Sequence, residues 1–118
     1  MQPNMTAVLS NQNESTFETQ ALQIAGLGVW AMVTGKPLAK PMEPLEDQRW
    51  NQKTGLFVTL TKNGSVRGSV GFLESGQALQ ETLFEVGGMA ATHDTRYPPV
   101  ESGELDSLNL EVSLLTSF

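Results

Sequence analysis

Arg67, Ser69, Asp94 and Arg96 are the residues of this 118-residue chain whose types and spacing could do chemistry. Arg67 lies in VRGSVG, residues 66–71, between runs rich in strand-forming residues. Gly68 and Gly71 beside it weaken a strand. A cation next to bare backbone suits an acidic ligand, because a guanidinium grips a carboxylate or phosphate and the glycines let the ligand approach. Period two places Arg67 and Ser69 on one side of that strand. HDTRYPPV, residues 93–100, adds Asp94 and Arg96 on a loop stiffened by two prolines. The candidate ligand-binding set is therefore Arg67, Gly68, Ser69, Gly71, Asp94 and Arg96. A Ser-His-Asp site can be drawn from Ser69, His93 and Asp94. Adjacent His and Asp side chains usually point apart, however, and a triad aspartate must orient its own histidine. A structural Asp94–Arg96 fastening outweighs it, with His93 exposed near a helix C-terminus. GSVRGSVG also lacks the Gly-Lys-Ser/Thr ending of a phosphate loop.

Composition narrows the field. The length fits one domain with one core. A net charge of −6, with seven scattered cations, disfavours nonspecific nucleic-acid and anionic-membrane binding. No cysteine is present, so disulfides and thiol catalysis are excluded, and one histidine excludes the usual zinc sites. No metal or cofactor is expected. The first 35 residues hold no Lys or Arg, so no basic region precedes an apolar signal segment. The apolar run 21–33 is too short to span a bilayer. A soluble, cytoplasmic protein is the expectation.

The elements that must position these residues follow from periodicity. Residues 1–14 read as a polar arm, and residues 15–118 as a single domain. STFE opens a helix over about 16–34, with Ser15 as cap and Glu18 reaching back. Gly35 supplies a left-handed end, and Pro37 forbids continuation. Gly26 and Gly28 inside it point to close packing against another element. Residues 36–54 read as a long loop, pinned by a buried Trp50. LFVTLTK and SVRGSVGF flank Asn63-Gly64 and read as a hairpin over 55–74 with a type I′ turn. The simplest register puts Leu56, Val58 and Leu60 on one face with Arg67 and Ser69. Phe57 and Thr59 then share the other face with Val66, Val70 and Phe72. A second helix is expected over about 77–92, with Ser75 as cap and Gly87-Gly88 packed tightly. SGELDSL reads as a short helical turn, and Glu101, Glu104 and Asp106 as a solvated face of the loop. LNLEVSLL alternates as a half-buried strand over 108–115. The fold class is α+β: an antiparallel sheet packed by two helices.

Three of these stretches carry a resemblance. GLFVTLTKNGSVRGSVG, HDTRYPPV and LNLEVSLL, in that order, resemble the domain family named for the AMME chromosomal region. That family shows GxFVTL, then LRGCIG, an alanine-rich helix, DxRFPPV and a strand of the type LxIEVSVL. The match runs from Thr54 to Leu115. Arg67, Gly68 and Gly71 fall on the second motif. Asp94, Arg96, Pro98 and Pro99 fall on the fourth, with Tyr97 in place of phenylalanine. The resemblance implies an α+β fold with an antiparallel sheet and a cleft between unequal lobes. It also implies an intracellular protein that, in prokaryotes, accompanies a Memo-like protein. The family's motifs have prompted proposals of enzymatic activity, without an established reaction.

Two departures bear on function. Ser69 stands at the motif's cysteine, so thiolate chemistry is lost, and a serine hydroxyl is a far weaker nucleophile without a base. Family members also continue beyond the third stretch, so a domain shortened at its C-terminus is expected. We therefore expect a non-catalytic ligand- or protein-binding module. The alternatives are an enzyme using Arg67, Ser69 and Asp94 in a cleft, and an oligomeric scaffold. A sheet of few strands with open edges, and helices short of cover, predict a two-fold homodimer. Its interface would lie near Leu110, Val112 and Leu114 or the exposed side of the first helix. Arg67 bonded to an internal carboxylate would indicate a structural role; a polar pocket around it would indicate a site.

Overall fold

The structure, a computed structural model, describes residues 4–8, 15–36, 48–73 and 76–115. Pro37, Ser75 and most of the expected 36–54 loop lie outside them. The elements run β1 (Asn4–Val8), α1 (Ser15–Thr34), a 3-10 turn (Gln48–Asn51), β2 (Gly55–Lys62), β3 (Ser65–Phe72), α2 (Leu79–Thr92), a second 3-10 turn (Ser102–Ser107) and β4 (Leu108–Leu115). The sheet order is β1-β4-β2-β3. β4, β2 and β3 form the antiparallel sheet, and β1 adds to the β4 edge in parallel. Asn4–Val8, within the segment expected to be an arm, thus closes one edge of the sheet.

The helices pack on one face of the sheet because the strands alternate. Leu56, Val58 and Leu60 of β2 and Leu110 and Val112 of β4 are fully buried. Phe17, Ala21, Ile24, Ala25 and Val29 of α1 meet them, as do Leu79, Leu83, Val86 and Ala90 of α2. α1 lies over the β1–β4 side, and α2 over β2 and β3. Trp50 is buried as expected, with its ring 4.5 Å from that of Phe17. Gly35 ends α1 with φ 69° and donates its N–H to the Ala31 carbonyl at 3.0 Å. The expected left-handed cap is there.

The glycines of the two helices bring the backbones together. A Cβ on Gly28 would lie 2.0 Å from the Phe84 carbonyl oxygen, and one on Gly87 would lie 2.3 Å from that of Ala25. No side chain fits between backbones this close, so the α1–α2 crossing depends on residues without one.

The hairpin differs from expectation in one residue. Asn63 and Gly64 turn it with φ 53° and 81°, both positive, as a type I′ turn requires. The register then slips: Leu60 pairs with Gly68 but Thr61 with Val66, so Arg67 has no partner. Arg67 is the extra residue of a β-bulge, a device that re-aims a side chain. The slip overturns the simple facial assignment. Val58 now faces Val70, and Leu56 faces Phe72, while Thr59 faces Ser69. Arg67 and Ser69 are not set on the core-facing side of β2's leucines.

Of the β4 residues expected near a dimer interface, Leu110 and Val112 are at 0% exposure inside the chain's own core, and Leu114 is half-buried.

Candidate functional site

The bulge turns Arg67 toward the chain that follows α2. Its Nε donates to Glu104 Oε1 at 2.9 Å and its Nη2 to Glu104 Oε2 at 3.0 Å. Nη1 donates to the Pro98 carbonyl at 2.6 Å, and Nη2 also reaches that of Pro99 at 3.2 Å. Four of the five donors of a guanidinium are therefore held by the protein itself. The Arg67 side chain is 16% exposed and that of Glu104 is 19% exposed.

Glu104 collects further donors. Lys62 Nζ lies 3.1 Å from its Oε1, and the Glu101 N–H donates to its Oε2 at 2.8 Å. The Arg67 guanidinium, aided by these bonds, holds its carboxyl down at about 2. Glu104 was expected on a solvated face with Glu101 and Asp106. Those two are exposed, but Glu104 joins β2, β3 and the second 3-10 turn. Its spacing in SGELDSL matches that of its exposed neighbours, so only the tertiary partner distinguishes it.

Asp94 and Arg96 make a second cluster on the outer edge of β3. Asp94 Oδ2 accepts the Ser69 N–H at 2.9 Å, and Arg96 Nη2 approaches the Ser69 carbonyl at 3.4 Å. Arg96 also grips the carboxylate, Nε to Oδ1 at 3.0 Å and Nη2 to Oδ2 at 2.7 Å, while its own N–H donates to Oδ1 at 3.0 Å. The Asp94 side chain is 7% exposed and that of Arg96 is 63% exposed. The bonds from Arg96 and from the Ser69 amide hold the Asp94 carboxyl well below the usual carboxylate range. The expected loop fastening is present, and it fastens the loop to the strand.

The remaining candidates are covered by their own chain. A Cβ on Gly68 would lie 2.0 Å from the Ala90 carbonyl oxygen, so Gly68 lets the end of α2 lie on β3. The Phe57 ring covers Gly71, where a Cβ would lie 1.9 Å from Cδ1. The two glycines, expected to bare the backbone for a ligand, admit a helix end and an aromatic ring. Ser69 Oγ hydrogen-bonds Thr59 Oγ1 at 2.9 Å across the strand pair. Thr92 Oγ1 donates to the Gly88 carbonyl at 2.8 Å, so at its 2.6 Å contact with His93 Nδ1 the imidazole is the donor. His93 is exposed, and no hydrogen bond joins it to Asp94 or Ser69 among the described residues. The Ser-His-Asp arrangement is not formed.

The structure thus brings Arg67, Ser69, Asp94 and Arg96 to one edge of the sheet, engaged with one another's neighbours. They fasten the loop between α2 and the second 3-10 turn to that edge. The Tyr97 N–H donates to the Asp94 carbonyl at 3.1 Å, and the Val100 N–H to that of Ala91 at 2.8 Å, with Val100 buried. The loop's polar groups named here face inward. Thr95, Arg96, Pro98 and Pro99 face out, and the Arg96 guanidinium lies 5.4 Å from the centre of the Tyr97 ring. Among the described residues, no three His, Cys, Asp or Glu side chains group to hold a metal ion, and no helix is long and apolar enough to cross a membrane.

Comparison with known proteins places these features in a family. A family model described as AMMECR1 matches residues 22–118. The chain is 38% identical over 95 residues to a protein of Methanothermobacter thermautotrophicus, covering 80% of this chain and 49% of that one. It is 35% identical over 100 residues to protein TK0174 of Thermococcus kodakarensis, covering 80% and 48%. Among solved structures, it resembles the crystal structure of the uncharacterized protein PH0010 from Pyrococcus horikoshii. The TM-score is 0.71 at 30% identity, over 81% of this chain and 49% of that one. The chain spans about half the length of the relatives it matches.

Proposed function

The chain belongs to the AMMECR1 family, and we propose that within it this chain is a non-catalytic protein-binding module. One observation carries the reading: each polar side chain of the candidate set is bonded to another part of the same chain. Arg67 has its carboxylate, Glu104, and two carbonyls. Ser69 has Thr59 in place of a base. Asp94 and Glu104 stay ionised at neutral pH, so neither is poised to donate and accept a proton there. The outcome named for Arg67 bonded to an internal carboxylate, a structural role, is the one supported.

The surface this latch holds out is Arg96, Tyr97, Pro98 and Pro99. A loop fixed before binding loses little conformational entropy on association, and Arg and Tyr are favoured anchors at interfaces. The partner we propose is a Memo-like protein, from its association with this family, met in the cytoplasm. Calorimetric titration of a purified Memo-like protein tests this reading. Binding weakened about tenfold or more in Arg96→Ala and Tyr97→Ala supports it. Equal affinity for both variants, or no binding by the unmodified chain, counts against it. Saturable stabilisation by a small anion, lost in Arg96→Ala, would instead favour a ligand site.

A further inference from the structure

We infer that the Asp94–Arg96 pair is a plug over a strand-accepting edge, and that β3 of a second copy is the strand this edge takes when the plug is removed. The inference is independent of what the loop binds. An edge strand offers an N–H and a C=O at every second residue, and these pair readily with another chain unless covered. On β3, Ser69 is such a residue. Its N–H goes to Asp94 and its C=O faces Arg96, so both point away from β2. Carboxylate and guanidinium thus take the two places that an acceptor and a donor of a neighbouring strand would occupy. They are locked to each other by two further bonds.

The far edge of the sheet has a different solution, since β1 pairs along β4 from Asn4↔Asn109 to Val8↔Ser113. Among the described residues, the β3 side has two side chains in place of a strand. Period two sends the backbone groups of Gly71 the same way as those of Ser69. Beyond them stand the exposed Phe72 and Leu73. A second β3, antiparallel across a two-fold axis, would match this stretch to itself and cover those side chains. The same segment serves both copies, which is what an isologous contact requires.

The test follows the Ser69 amide and the particle mass together. In Asp94→Ala, amide exchange at Ser69 should rise about tenfold or more at low protein concentration. At about 100 µM, where open strand edges associate, its mass by sedimentation should double relative to the unmodified protein. Adding Ser69→Pro should abolish that doubling, because proline offers no N–H and an outward-facing edge position tolerates it. Unchanged exchange at Ser69 would overturn the inference. So would a folded Asp94→Ala with the mass of the unmodified protein, or doubling that survives Ser69→Pro. If Asp94→Ala loses its far-ultraviolet circular dichroism, Arg96→Ala decides the matter. It frees the carbonyl alone, and its association supports the plug while an unaltered mass overturns it.

Discussion

Arg67 and Glu104, 37 positions apart in the chain, face each other through a two-pronged pair of hydrogen bonds at 2.9 and 3.0 Å. The pair joins the bulge of β3 to the turn before β4, and the carbonyls of Pro98 and Pro99 complete the guanidinium's shell. Removing Arg67 leaves Glu104 with only Lys62 and the Glu101 N–H, and takes a donor from the Pro98 and Pro99 carbonyls. Arg67→Ala should therefore destabilise the fold by about 2–4 kcal/mol. Urea unfolding measures it as a lower midpoint at unchanged slope. A loss within about 0.5 kcal/mol, the range of ordinary surface changes, would show that the pair is dispensable.

Acid should loosen the same latch. Glu104 has its carboxyl lowered from an ordinary 4.5 to about 2, and that of Asp94 lies lower than usual as well. A carboxyl whose folded value is depressed contributes stability in full above its unfolded value and loses it as pH falls toward the folded one. Glu104 thus contributes fully above about 4.5, and the contribution fades between there and about 2. Asp94 adds a loss in the acid range below its own ordinary value. Melting temperature against pH should fall across this window, and the fall should be shallower in Glu104→Gln. Parallel curves for the two proteins would mean that Glu104 carries no such linkage.

Ser69→Cys restores the family motif's thiol and tests the non-catalytic reading. The position faces Thr59, and the hydroxyl now there bonds only to that residue among the described contacts. A cysteine needs a nearby cation, a base or a helix N-terminus to ionise early. Its alkylation at neutral pH should be no faster than that of an unactivated thiol. A rapid reaction with a low apparent pKa would revive the enzyme alternative at Arg67, Ser69 and Asp94.

The helix crossing should be intolerant of a single methyl. Gly28→Ala and Gly87→Ala place a carbon 2.0 and 2.3 Å from facing carbonyl oxygens, and backbone does not yield as a flexible side chain does. Overpacking of this kind costs about 1–3 kcal/mol, and sometimes more. Gly103→Ala, with nothing within 4 Å of the new carbon, is the matched control. Thermal melts should separate the two classes, and equal shifts would refute the packing account.

Which parts were readable in the sequence follows from the range of the forces involved. The type I′ turn at Asn63-Gly64 and the left-handed end at Gly35 are set by local chemistry, and they appear where expected. α2 starts at Leu79, two residues inside the expected span. The Arg67 bulge is a one-residue slip whose side-chain partner, Glu104, lies far along the chain, and no local pattern announces it. Glu104 escaped for the same reason. Gly68 and Gly71 were rightly singled out as places of close approach. What approaches is α2 and Phe57, and composition alone cannot distinguish a neighbour from a ligand.

The parallel pairing of Asn4 with Asn109 sets an order of events during synthesis. A ribosome delivers β1 long before β4 has been translated, so the first strand waits without its neighbour while α1, the hairpin and α2 emerge. Contacts this distant in sequence form slowly, because the long loop they close must first be gathered. The β2–β3 hairpin and the two helices assemble from nearer partners and need not wait. β1 therefore joins a sheet whose other three strands are already available. A nascent chain released before β4 would hold the two helices and the hairpin, but not the strand that β1 joins.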